Sequence, residues 1–553
     1  MIEKDALAQA YLLLQQGQTE AAHTLLQPLA QSPRADAKVL QLAAAAATAR
    51  GLYSEAIRLL RRALAAVPGE LAMSYQLGRA LVAAGQHQEA LTVYLQLIAA
   101  GVEHADVYTA AAVLLQQFQR DEEALQTLQR ALQLAPQAAN NWYMQGVLQA
   151  RLRRLPDAVS SLQQAIALAP QPARFHLDLA LALHGLHRNQ EALAAIEQAR
   201  ARDADDVEIW SLRGVILSRL GRYQEAIASC EAALVRQADH ADASVNLALT
   251  LLTLGQLERA WPLYEARWRG ELSEPARHSA ITRWDGHADL RGKTILLWSE
   301  QGYGDTLQFC RYALQVADLR ARVVLEVPPE LKQLLQTLAD PARILVLNHG
   351  ENLPSVDYQL PLMSLPLALD TRGENIPAYP AYLHSHASQR AHWSSMLGPR
   401  QGMRIGIVCS GNAGNRKDGT RSIPLAAFAP LFEMVAADFY LLQPELRQAD
   451  HAVLQSLPSL HWPGRQLRAF DDTAALLDNL DLVLSVDTAV AHLAGAMGVP
   501  VWILLSDVVD WRWFLGAADS PWYPSARLWR QRRSGDWTEL LARVQQNLLA
   551  QAT

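Results

Sequence analysis

Apolar residues in the first half of the chain return at the three- and four-residue spacing of an amphipathic helix, and the whole pattern repeats every 34 residues. An alanine stands at Ala22, Ala56, Ala90, Ala124, Ala158, Ala192, Ala226 and Ala260, a register that one insertion would have broken. A parallel column, Ala10, Ala44, Gly78, Ala112, Gly146, Ala180, Gly214 and Ala248, holds only small residues, as two closely approaching helices require. Pro68, Pro136 and Pro170 fall where one helical hairpin stops and the next begins. The expected architecture is an α-solenoid of about eight helix pairs, each burying its apolar face on its neighbours and together forming a long curved groove.

The helical period breaks near Pro275. Residues 294–300 (TILLWSE) read as a buried strand, followed by the glycine turn 301–305 and a helix from Thr306 onward. Further strands are expected in ARVVLEV, ARILVL, MRIGIVCS, DFYLLQ, LDLVLSV and VPVWILL, separated by helical stretches. Strands alternating with helices predict parallel sheets covered on both faces. A restart at 402–410, after a polar stretch at 384–400, predicts two such Rossmann-like halves, with a cleft at the carboxyl ends of their strands.

The 34-residue period with its two small-residue columns resembles the tetratricopeptide repeat. The segment LVLSVDTAVAHLAGAMGVPVWILL is similar to the Asp-Thr-Gly-x-x-His segment, followed by a Gly-x-Pro strand, of the ADP-heptose:lipopolysaccharide heptosyltransferase superfamily. The turn GYGD at 302–305 resembles that superfamily's opening Gly-Asp turn. Repeats joined to such a domain resemble bacterial tetratricopeptide-repeat proteins with a heptosyltransferase-like domain. The resemblance implies an α/β GT-B fold, and an inverting glycosyltransferase that uses a nucleotide sugar. The expected division is a repeat array at 1–275, an acceptor-side half at 276–395 and a nucleotide-sugar half at 400–553.

An inverting transfer needs a base for the acceptor proton and a seat for the departing diphosphate. Asp305, beside Gly302, Tyr303 and Gly304 in the cleft turn, sits where the superfamily places its candidate base; it could equally cap the following helix. Asp487, Thr488 and His492 match the second motif, with Ala489 where the pattern has glycine. Thr488 and the amides near Ala489 would hold the diphosphate at a helix N-terminus without a metal. His492 reads either as a phosphate or sugar contact or as a half-buried residue packed on strand 499–505. The loop 410–422 brings Asn412, Arg416, Lys417 and Arg421 to the end of a strand, suited to the leaving group or merely solvated; Lys417 best matches the superfamily's lysine. Gln443 and the helix opened by Asp472-Thr473 fall where GT-B enzymes hold the nucleotide base. The aromatics of 510–513 and 520–524 could stack on sugars, or staple the tail across the domain.

Composition narrows these readings. At 553 residues the chain exceeds one hydrophobic core, and its net charge of −6 gives no basic footprint for nucleic acid. No apolar run reaches bilayer length, and the N-terminal segment is an amphipathic helix with early acids, unlike a secretion signal, so a cytoplasmic protein is expected. Cys230, Cys310 and Cys409 offer no disulfide framework, and Cys230 falls on a packing column. The one Asp-x-Asp triplet, Asp203-Ala204-Asp205, lies between repeats, which predicts metal-independent transfer with no cofactor beyond the donor. Partners expected are a nucleotide sugar, a polypeptide or surface-glycan acceptor recruited by the repeat groove and, since repeat arrays commonly dimerise, a second copy of the chain. A protein O-GlcNAc transferase-like enzyme is a rival, but the column Leu42, Gln76, Ala110, Met144, Asp178, Leu212 and Asn246 is no asparagine ladder. A catalytically silent scaffold is the other.

Overall fold

The small-residue columns do in the folded chain what their spacing demands. In the computed structural model, which describes residues 2–270, 277–412, 414 and 418–552, each of the eight alanines of the first column is fully buried, at 0% exposure. In the second column a methyl group added at Gly78 would lie 2.9 Å from Tyr94 Cζ, and one at Gly146 would lie 2.6 Å from Leu162 Cγ. Antiparallel helices of 13 or 14 residues therefore follow one another from Ile2–Gln15 to Tyr223–Arg236, and the pair Ala241–Thr253 and Leu257–Tyr264 completes sixteen among the described residues. The helices Tyr53–Ala66, Asp121–Leu134 and Leu155–Leu168 each stop two residues before their proline.

The chain divides into two compact units between Ile216 and Leu217. The second unit contains the last repeat helices and two wholly parallel sheets. Strands β1 (Thr294–Trp298), β2 (Arg322–Val327), β3 (Ile344–Asn348) and β4 (Tyr358–Pro361) form the first, in the order β3-β2-β1-β4. The second contains β5 (Met403–Val408), β6 (Ala437–Leu441), β7 (Leu460–His461), β8 (Leu482–Val486), β9 (Val501–Leu505) and β10 (Ala526–Arg530), ordered β10-β9-β8-β5-β6-β7. Among the helices of this region, numbered from its start, α1 is Tyr303–Phe309, α2 Tyr312–Asp318, α3 Pro329–Leu335, α4 Ala387–Leu397, α5 Phe470–Leu477 and α6 Ala489–Met497.

One apolar core runs from Ile227, Leu251, Trp261 and Tyr264 in the repeat helices to Ile295, Leu325, Val483 and Ile503 in both sheets and to Trp522 in the segment before β10. Trp261 stands edge-on to Trp511 at 5.8 Å and donates its indole N–H to the Thr371 carbonyl at 3.1 Å.

Seven strands lie where the hydrophobic runs predict them. The other three carry weak signals: β7 is two residues long, β4 ends on a proline, and β10 (ARLWR) mixes arginines with its apolar face. The polar stretch at 384–400 contains α4, of which only Trp393 is buried. The helix expected to open at Asp472-Thr473 begins at Phe470, with Asp472 accepting from the Arg468 amide at 3.1 Å.

Candidate active site

The first βα turn differs in one respect from the reading above: α1 begins at Tyr303, with Gly302 at its N-cap, so Asp305 lies inside the first turn and does not cap it. Its carboxylate is taken up by Arg512 instead. Arg512 Nε donates to Asp305 Oδ1 at 3.0 Å, and Nη2 donates to the same oxygen; Oδ2 takes no hydrogen bond among the described residues. Arg512 belongs to the turn Trp511–Trp513 that follows β9, where the Asp510 side chain accepts from the Arg512 amide and, at 2.9 Å, from Arg512 Nη1. The guanidinium lies 4.4 Å over the Trp511 ring. Burial alone would lower the Arg512 pKa, but Asp305 and Asp510 more than offset it and raise it above the ordinary value.

Asp487 directly follows β8, and Thr488 is the N-cap of α6, an N-terminus that no side chain caps. The Ala491 amide donates back to the Thr488 carbonyl at 3.0 Å, and those of Ala489 and Val490 donate no hydrogen bond among the described residues, which suits them to an anion. Thr488 Oγ1 lies 3.1 Å from Ser485 Oγ. Burial, with the negative charge of Asp510, pushes the Asp487 carboxyl up to about 6, against the opposing pull of Arg512 and Arg421. Arg421 Nη1 donates to the Asp487 carbonyl at 2.8 Å, and its guanidinium occupies the space that a side chain at Gly411 would need.

His492 is buried at 4% exposure, deeper than the half-buried alternative. Its Nδ1 lies 2.9 Å from the Tyr523 hydroxyl and its ring stacks 5.0 Å from Trp513. Burial and the charge of Arg512 lower its pKa to about 3, so the imidazole is neutral at pH 7. A methyl group at Gly304 would come within 2.9 Å of His492 Cδ2, so the glycine lets α1 lie directly on α6. At the mouth, Tyr303 is 38% exposed and meets Phe470 edge-on at 5.2 Å.

The turn 302–305, Asp487, Thr488, Ala489, His492 and Arg421 thus converge, and Arg512 and Asp510 join them. The Gln443 side chain is spent elsewhere: its Oε1 accepts from the Cys409 amide at 2.8 Å and its Nε2 donates to Ser410 Oγ at 2.6 Å, fixing the end of β5. Asn412 Oδ1 accepts from the Gly414 amide at 2.8 Å in an exposed turn. Arg416 and Lys417 lie outside the described residues. Trp511, Trp513, Trp522 and Tyr523 are buried core residues, the stapling alternative and not an open sugar platform. Arg512 was passed over because its stretch reads as aromatic; its place just past a strand's carboxyl end was the available signal.

The architecture defines a helical-repeat array joined to a two-sheet parallel α/β region. Its N-terminal region consists of tetratricopeptide repeats, with family models of that description matching residues 47–114, 105–137, 143–194, 185–239 and 217–271. Protein FlbA of Caulobacter vibrioides is 27% identical over 321 residues, which are 54% of this chain and 53% of FlbA, so the chain spans about half the length of that curated relative. Among solved structures, a tetratricopeptide repeat protein from Parabacteroides merdae is 19% identical over 43% of this chain and 94% of that one, with a TM-score of 0.35. YrrB, described as a TPR protein with an unusual peptide-binding site, is 23% identical over 31% of this chain and 92% of that one, with a TM-score of 0.29. No helix among the described residues is long and apolar enough to cross a membrane.

Proposed function

We propose that the chain is a cytoplasmic inverting glycosyltransferase of GT-B type that uses a nucleotide-activated sugar. The carrying observation is the juxtaposition of Asp305 with the uncapped N-terminus of α6, through the Gly304–His492 approach and the shared neighbour Arg512. Arg512 holds Oδ1 and orients the carboxylate, and Oδ2 takes the acceptor proton as the acceptor oxygen attacks the anomeric carbon. The bond from that carbon to the diphosphate breaks with inversion. The leaving group is met by the Ala489 and Val490 amides of α6, the Thr488 hydroxyl and Arg421, and without a metal. The repeat groove recruits a polypeptide or glycan acceptor.

The second reading, a scaffold without turnover, is favoured by the same Asp305–Arg512 pair, which also serves to tie α1 to the turn after β9. Thermal-shift measurements against ADP, GDP, UDP, CMP and their sugar conjugates separate the two. One nucleotide should stabilise the chain specifically, by about 2.7 kcal/mol at a hundredfold excess over Kd. With that donor, Asp305→Asn should retain binding and lose slow donor hydrolysis by at least ~100-fold. No shift with any nucleotide at millimolar concentration would leave the scaffold.

A further inference from the structure

The cleft turn with Asp305 follows the carboxyl end of β1. At the opposite end of the same sheet, where β1, β2 and β3 begin, a cavity of about 720 Å³ lies between the strand starts and the carboxyl end of α2. Its size is that of a small-molecule site, and small residues such as Gly292 and Ala342 leave the room. Three arginines line it, Arg320, Arg322 and Arg343, against one carboxylate, Asp318.

Around this end the other cations are paired one by one. Arg291 meets Asp289 at 2.7 Å, Lys293 meets Asp357 at 3.2 Å, and Arg343 Nη2 donates to Asp318 Oδ1 at 2.6 Å. Arg320 and Arg322, both exposed in the cavity, have no carboxylate within 4 Å among the described residues. The register Val323↔Ile344 sets Arg322 beside Arg343 at the starts of β2 and β3, where like charges repel and Asp318 answers only one of them. The backbone holds the unpaired cations in place. The Arg322 amide donates to the Lys293 carbonyl at 2.8 Å, and the Arg320 amide donates to the Ala317 carbonyl at 3.0 Å while its carbonyl accepts from the Gly292 amide at 3.1 Å. A cavity so lined is relieved of its self-repulsion by an anion, in a chain whose net charge of −6 draws none from a distance.

We propose that this cavity binds a small compound carrying a diphosphate. Two unpaired guanidinium groups supply the opposite charge, and their forked donors pair with phosphate oxygens two at a time. The five residues of β1 put roughly 16 Å between the cavity and the cleft turn, so a ligand here leaves the cleft open. The site does not depend on the glycosyltransferase reading.

Isothermal titration of the full chain with inorganic pyrophosphate at fixed ionic strength tests it. Wild type should bind at millimolar concentration or below, and Arg320→Gln and Arg322→Gln, both changes on exposed side chains, should each weaken binding about three- to tenfold. Asp318→Asn removes the one acid of the cavity and frees Arg343, so it should strengthen binding by a similar factor. Succinate, which offers flat carboxylates and less charge, should displace pyrophosphate only at about tenfold higher concentration. Pyrophosphate held at the α6 N-terminus is indifferent to all three substitutions, so unchanged affinity in the three variants would overturn the cavity site. Weaker binding by Asp318→Asn, displacement by succinate at equal concentration, or no binding by wild type would overturn it as well.

Discussion

His492 and Asp487 sit 4.0 Å apart and their pKa values are driven in opposite directions by the same burial. For His492 the unfolded value of 6.5 falls to about 3, so between those limits the unfolded chain carries the extra proton and stability rises with pH. For Asp487 the value rises from 3.8 to about 6, so the folded chain carries the extra proton and stability falls as pH rises through that window. In the wild type the two slopes nearly cancel between pH 4 and 6. Denaturation of His492→Gln and Asp487→Asn at pH 4, 5 and 6 should separate them. The advantage of wild type over His492→Gln should grow with pH, and that over Asp487→Asn should shrink, each by roughly 1–3 kcal/mol across the range. Equal slopes in all three proteins would mean that neither group is buried as described. The motif residues Asp305, Asp487, Thr488 and His492 were legible because they cluster at strand ends within short segments. Arg512 was not, because its partner lies 207 residues away and only the fold brings it there.

At the scale of elements the repeat register was fully legible, since each small residue answers to a neighbour one helix away. Gly146 shows how strict that requirement is: besides Leu162, an added methyl group would lie 3.2 Å from the Ala158 carbonyl, a backbone atom that cannot swing aside. Gly146→Ala should therefore destabilise the array by about 1–2 kcal/mol, because overpacking of about 1–3 kcal/mol outweighs a gain in helix propensity of up to about 1 kcal/mol. A urea midpoint equal to or above that of wild type would mean that the helices Ala139–Arg151 and Leu155–Leu168 pack more loosely than described. The strands missed by periodicity are those whose burial depends on tertiary neighbours: Arg527 of β10 covers the rings of Trp502 and Trp529, so a charged residue serves as a packing surface.

For the whole molecule, the break in the 34-residue period near Pro275 marks where the repeats stop, but cores follow contacts and not periods. Leu251, Leu252, Leu257, Trp261 and Tyr264 share one core with both sheets, and Arg267 joins its Glu300 partner at the end of β1 through two hydrogen bonds at 2.9 and 3.0 Å. Cutting at the end of the period would strip Trp511 of Trp261 and Tyr264, and would leave Glu300 buried at 4% side-chain exposure without its counter-ion. An unpaired buried charge costs about 3–5 kcal/mol, and a lost tryptophan contact adds to it, which together approach the whole stability of a domain. A fragment beginning at residue 204, in the turn before the helix Val207–Arg219, should be soluble and unfold cooperatively, whereas one beginning at residue 277 should aggregate or bind a hydrophobic dye. A monomeric, cooperatively folded 277–553 fragment would mean that the sheets are self-sufficient and that the last repeats only lie against them.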